Sequence, residues 1–91
     1  MKTKMLKRQV RDLRVEHLAP NQSIITAEGN QVLQSYESTV AVKYADGSVE
    51  LGQDWEHSRT TMKYVGQFLD SNAANTRKQI KNGAWKLNTE L

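Results

Sequence analysis

The chain has 91 residues, 37% of them hydrophobic and 25% charged, with one proline, five glycines and no cysteine. That length supports one core, the composition is that of a folded domain, and the missing thiols exclude disulfides, thiolate nucleophiles and cysteine-rich zinc sites. A formal net charge of +3 is too small to select a partner, but the charges are unevenly distributed. Lys2, Lys4, Lys7, Arg8, Arg11 and Arg14 face only Asp12 at the N-terminal end. From Val15 to Ser58 the acids dominate and Lys43 is the lone lysine, whereas Arg59, Lys63, Arg77, Lys78, Lys81 and Lys86 return the sign to positive. This order suits either internal charge pairing or two basic surfaces offered to a polyanion.

Residues 1–18 form a basic N-terminal segment whose pattern is ambiguous. Leu6, Val10 and Leu13 have helical spacing, while Leu13, Val15 and His17 alternate as in a strand. Pro20-Asn21 marks the boundary with a single α+β domain over residues 19–91. Next, Gly29-Asn30 separates Ser23–Ala27 from Gln31–Tyr36, the pattern of a hairpin with mixed faces. Ser35 to Thr39 is either a short turn or a bulge in one long strand. The run Val40–Leu51 turns back at Asp46-Gly47, and a two-residue loop there sets Tyr44 opposite Val49, Lys43 opposite Glu50 and Val42 opposite Leu51.

Beyond Leu51 the period lengthens towards 3.6. Ser58 is a good N-cap for a helix from Arg59 to Asp70, with Met62, Val65, Phe68 and Leu69 on one stripe. A second helix is expected from Ala73 to Lys81, capped by Ser71 or Asn72 and ended by Asn82-Gly83. Trp85 and Leu87 then suit a terminal strand or docked tail. The expected fold is α+β: a small antiparallel sheet, a meander of three to four strands, packed against two C-terminal α-helices.

Ser35-Tyr36 and Val40-Ala41, followed by Trp55-Glu56-His57-Ser58-Arg59-Thr60-Thr61-Met62-Lys63 and Phe68-Leu69, carry a resemblance. Over Ser35 to Gly83 the chain resembles small uncharacterised proteins of bacteriophages and prophages that share a Ser-Tyr…Val-Ala strand and a Trp-x-x-Ser-x-Thr-Thr-x-Lys helix start. Trp55 to Lys63 is the most specific part. His57 departs from the pattern, which has an aromatic residue there, commonly tyrosine. The resemblance implies a viral origin and a bacterial intracellular setting, and it supplies no catalytic residues.

The stretch from Trp55 to Lys63 is also the best candidate site on chemical grounds. Arg59 falls in the first turn of its helix, where the dipole disfavours a cation. In one reading, free backbone N–H groups, the hydroxyls of Ser58, Thr60 and Thr61, and the charges of Arg59 and Lys63 converge on an anion or partner. In the other, Arg59 simply pairs with Asp54 or Glu56. Trp55 is either an exposed stacking residue or a plug in the core. The basic arm, from Lys2 to Arg14, contacts phosphates, an acidic protein surface or anionic lipid, or it is a solvated terminus; Arg77, Lys78 and Lys81 form a second basic cluster or only the solvated face of their helix.

Asp54, His57 and Ser58 hold the ingredients of a triad, but no glycine-flanked serine or oxyanion loop accompanies them. No catalytic role, cofactor or metal is therefore expected. A helix-turn-helix is not expected either, because a strand and not a helix precedes Ser58. No apolar run reaches the length of a membrane span, so the expectation is a cytoplasmic protein with no membrane partner. The expected function is that of a phage-encoded accessory protein binding a host protein or protein–nucleic-acid complex, for instance as an anti-CRISPR-like inhibitor. The alternative is a small nucleic-acid-binding module using the two basic ends. An unpaired edge of the sheet would also allow a homodimer.

Overall fold

Three two-residue turns and one three-residue loop lay down the sheet. Pro20-Asn21, Glu28-Gly29 and Tyr36-Glu37 each reverse the chain, with φ of 67° at Asn21, 54° and 83° at Glu28 and Gly29, and 55° at Tyr36. Left-handed backbone of this kind matches the twist of the strands it joins. The computed structural model describes residues 13–91. It contains β1 (Arg14–Ala19), β2 (Gln22–Ala27), β3 (Asn30–Ser35), β4 (Ser38–Lys43) and β5 (Val49–Leu51). These are followed by α1 (Arg59–Leu69), α2 (Ala73–Lys81) and β6 (Lys86–Leu87). Strands β1 to β5 are an antiparallel meander in sequence order, and the short β6 joins β5 in parallel.

The α+β class and the two C-terminal helices are as expected, but the meander has five strands and not three to four. Arg14 to Leu18, grouped with the basic segment from sequence, belong to β1, and Arg14 to His17 pair with β2. The first glycine turn is Glu28-Gly29 and not Gly29-Asn30. Asn30 instead starts β3, and its side-chain oxygen accepts the Ala45 N–H at 2.9 Å. Of the two readings of Ser35 to Thr39 the short turn holds, since Tyr36-Glu37 reverses the chain between two strands; a bulge lies just beyond it, where Val40 is an extra residue between the Leu33–Ala41 and Gln34–Thr39 pairs.

The β4–β5 register differs by one residue from the expected one. Ala41 faces Leu51, Val42 faces Glu50 and Lys43 faces Val49. A three-residue loop, Ala45-Asp46-Gly47, causes the shift. The Gly47 N–H reaches the Tyr44 carbonyl at 2.9 Å, Tyr44 pairs back to the Ser48 carbonyl, and Gly47 takes a φ of 92°. That is a type I turn closed by a glycine bulge. Asp46 holds it by accepting the Ser48 N–H and hydroxyl, bonds that also lower its own pKa. Lys43 therefore does not meet Glu50. It lies 4.6 Å from the Phe68 ring centre, while the Tyr44 hydroxyl donates to Glu50. That bond, with burial and the nearby carboxylates, raises the tyrosine pKa.

The core lies between the front of the sheet and α1. Leu33, Val40, Ala41, Val49 and Leu51 meet Trp55, Val65 and Phe68, all buried, with Leu18, Ile24, Met62 and Ile80 packed around them. Each fully buried valine, leucine or phenylalanine side chain among them contributes about 1.5–3 kcal/mol of hydrophobic stabilisation. Ser58 caps α1 by accepting the Thr61 N–H at 3.1 Å, and Asn72 caps α2 through the Asn75 N–H at 2.7 Å. The left-handed Asp70 ends α1 one residue before its expected boundary. Among the described residues, no helix is long and apolar enough to cross a membrane.

Gly52 is the tightest point of the core. Its N–H donates to the Val40 carbonyl at 2.9 Å, and a Cβ there would stand 2.2 Å from the Thr39 carbonyl oxygen. Gly52→Ala is expected to cost about 1–3 kcal/mol, since the obstacle is backbone and β4 would have to move. Urea unfolding followed by tryptophan fluorescence measures it; an unchanged midpoint would contradict the packing.

Candidate functional site

At one end of the sheet the Pro20-Asn21 and Tyr36-Glu37 turns lie side by side, joined by the Tyr36 N–H donating to the Asn21 carbonyl at 2.7 Å. The segment from Asp54 to Ser58 approaches the same end on its way from β5 into α1. Between them is an open cleft of about 650 Å³, walled by Asn21, Tyr36, Glu37, Ser38, Asp54 and His57, with Ser35, Val40, Ser58 and Thr61 deeper in. Tyr36 is 56% exposed and stands at its mouth.

A hydroxyl network joins sheet and helix here. Thr61, 2% exposed, lies 3.1 Å from the Ser35 hydroxyl, and its own Oγ1 accepts the Ser58 hydroxyl at 3.2 Å. Ser38 donates to Asp54 at 3.1 Å. Beside Ser35 on the same sheet face is Gln22, 1% exposed, whose amide finds no hydrogen-bond partner among the described residues. A buried amide in that position costs stability, so this end of the interface is less favourably packed than the apolar end.

The residues expected to form one site are divided. Trp55 is 4% exposed and plugs the core. The Arg77 guanidinium lies 5.8 Å from its ring centre and bonds Glu56 at 3.0 Å. Glu56 is thus taken by Arg77 and Asp54 by Ser38, so Arg59 pairs with neither. Convergence on an anion fails as well. Ser58 and Thr61 face the cleft, whereas Arg59 and Lys63 line a separate groove on α1 with Gly66, Asp70 and Asn72, and Thr60 is exposed. The helical period causes this division, because positions 59 and 63 share a face that 58 and 61 do not.

Lys63 rests 5.4 Å from the Tyr64 ring centre, and Lys78 and Lys81 are exposed in the last turn of α2. Arg14 lies on β1 at the far edge of the sheet. Lys2, Lys4, Lys7, Arg8 and Arg11 lie outside the described residues.

Asp54, His57 and Ser58 all border the cleft without forming a relay. The Ser58 hydroxyl donates to Thr61 and accepts its N–H. The one bond between His57 and Asp54 runs from backbone N–H to backbone carbonyl at 3.0 Å. A general base must reach the proton that it removes, and none of the described bonds brings the His57 ring to Ser58. Among the described residues, no three His, Asp or Glu side chains gather as metal ligands would.

Reasoning from sequence missed Asn21, Glu37 and Ser38 as cleft residues, because the cleft is assembled from three separate turns. One signal was present: Tyr36 occupies a turn tip, where glycine or asparagine costs less.

The chain belongs to a family of unknown function (DUF8033), whose model matches residues 5–83. The match ends at Gly83, as the resemblance seen in the sequence does, and begins well upstream of it, so the chain from residue 5 onward is part of the family pattern. No curated protein and no solved structure matches the chain.

Removal of the Thr61 hydroxyl takes the partner from the buried Ser35 hydroxyl and the acceptor from the half-buried Ser58 hydroxyl, which keeps only the backbone N–H that it accepts. Thr61→Val is expected to destabilise the protein by about 1–3 kcal/mol. Ser58→Ala costs about 1 kcal/mol through the lost cap. Because the two share one network, the double variant should lose less than the sum. Chemical denaturation of all four proteins checks this, and strict additivity would mean that the hydroxyls act independently.

Proposed function

We propose that this protein is a non-catalytic binding protein whose Tyr36 cleft receives a segment of another protein. The observation that carries the reading is Tyr36 itself, more than half exposed on a backbone of φ 55° at the mouth of the cleft. A bulky residue in the left-handed region is a local strain, and exposed tyrosines are favoured anchors because they offer a large rigid surface at low entropic cost. Glu37, Asp54 and His57 around it provide polar groups that orient a partner. The small size and the resemblance to phage and prophage proteins support a setting in a bacteriophage or prophage. The partner is then a host protein or protein–nucleic-acid complex in the bacterial cytoplasm, such as a defence nuclease inhibited in the manner of an anti-CRISPR protein.

Immobilised protein incubated with bacterial host lysate tests this. The wild type is expected to retain a reproducible partner and Tyr36→Ala to lose at least tenfold in capture, with Tyr36→Phe intermediate and all three equally folded by circular dichroism. Equal capture by wild type and Tyr36→Ala would overturn the assignment to the cleft.

A second reading, nucleic-acid binding, is favoured by one observation: Arg59, Lys63, Lys78 and Lys81 are exposed and form no ion pair among the described residues. Fluorescence anisotropy with single- and double-stranded probes separates the two. Phosphate binding must weaken steeply as salt rises, and Lys78→Glu with Lys81→Glu should lower affinity for every sequence alike. An absent or salt-independent response removes this reading.

A further inference from the structure

The outer edge of the sheet is β1, and its hydrogen-bonding groups can be assigned from the turns. Ala27 and Asn30 close the two-residue Glu28-Gly29 turn, so they exchange hydrogen bonds, and Ile25 and Ser23 likewise point to β3. Thr26 and Ile24 therefore point to β1. Their partners Arg14 and Glu16 turn their backbone groups inward, and Val15 and His17 direct theirs away from the sheet. Among the described residues, no strand lies beyond β1.

The side chains on this edge are unusual for one meant to stay single. Leu13 and Val15 are 51% and 54% exposed. Val15 also begins an apolar row across the back of the sheet, through its pairs with Ile25, then Val32, then Val42. Charges commonly protect an edge, but here they are Arg14 and Glu16, opposite in sign and symmetric about Val15.

We propose that β1 pairs antiparallel with β1 of a second copy of this chain, with Val15 on the two-fold axis. In that register Arg14 faces the partner's Glu16, and Glu16 faces the partner's Arg14. A two-fold interface must be self-complementary, and an Arg-Val-Glu triplet is the shortest pattern that meets the requirement with two ion pairs and an apolar centre. The register also agrees with the backbone. Val15 and the partner's Val15 exchange N–H···O bonds through the groups shown to point outward, which leaves the Arg–Glu pairs at the non-hydrogen-bonded positions, where side chains stand closest. The irregularity between His17 and Ala19 ends regular pairing at one side, so the regular part of β1 runs from Arg14 to His17 and contains the whole Arg-Val-Glu triplet. The two apolar rows on the backs of the sheets become one. This pairing is independent of what the cleft binds.

Sedimentation velocity of the full chain over a concentration series tests it. The wild type is expected to reach twice the 10.4 kDa monomer mass. Arg14→Glu alone and Glu16→Arg alone set like charges opposite each other and should each weaken dimerisation at least tenfold. The double variant Arg14→Glu/Glu16→Arg should recover it. An equimolar mixture of the two single variants should form heterodimers, since one edge is then acidic and the other basic. Circular dichroism keeps a failure to fold distinct from a failure to pair, and the positions are exposed. A wild type that is monomeric at every concentration would overturn the proposal and leave the edge to a strand of another protein. Single variants that dimerise as well as the wild type would overturn the register.

Discussion

The sheet has one face that must be covered, and the rest of the molecule follows from how that is done. Leu33, Ala41 and Leu51 stand side by side on three neighbouring strands, all fully buried. A sheet with such a face is stable only when another layer packs on it. Trp55, Val65 and Phe68 form that layer, brought into place by the segment after β5 and by α1. Because β5 ends on the core and α1 begins only a few residues later, the connection must cross the end of the sheet closely. Gly52 allows the crossing by carrying no side chain against β4. Trp55 then fills the corner, which explains why the most distinctive residue of the segment is not itself available to a partner.

The same crossing creates the cleft. Where the apolar face gives out, beyond Leu33 on β3, the strand continues with Ser35, and α1 answers with Thr61 and Ser58. Hydrophobic contact gives way to hydroxyl contact, and the unpaired Gln22 amide sits next to it. Polar interfaces gain little net free energy even when their bonds are made, because each bond replaces one to water. This end of the molecule is thus held by specific bonds more than by burial, and the Pro20-Asn21 and Tyr36-Glu37 turns stand apart from α1 and leave space between. Tyr36 is displayed by that gap and by its left-handed backbone, not by any strand pattern.

The two ends of the sheet differ for a related reason. The β5 edge is shielded by the two-residue β6, tied down by the Asn88 N–H to the Leu51 carbonyl at 2.8 Å and by Lys86 beside Glu50. The β1 edge has no such cover among the described residues and carries both apolar and paired-sign charged residues. Charges elsewhere are used locally: Arg77 bonds Glu56 over Trp55, and Lys43 lies against Phe68. The acidic middle and basic C-terminal part of the sequence therefore meet at a few points only, which leaves several lysines of the helical layer to solvent.

Much of the architecture was legible in the order of residues because local chemistry decides it. Ser58, Asn72 and Gly83 mark helix ends by bonds made within a few residues, and the stripe of Val65 and Phe68 follows from the 3.6-residue period. The number of strands was less legible, since β1 and β2 carry mixed faces that alternation alone does not reveal. The β4–β5 register was misread by one residue because Asp46-Gly47 suits both a two-residue turn and a glycine bulge, and the choice rests on how Ala41 and Leu51 pack together against α1. The candidate site was divided for the same kind of reason. Residues adjacent in sequence lie on different helix faces, and residues far apart are brought together by turns. Sequence alone determined the class of fold, the helices and their caps. Register, the cleft around Tyr36 and the exposed β1 edge were decided only when the sheet and helices met, because each depends on contacts between residues that the chain keeps far apart.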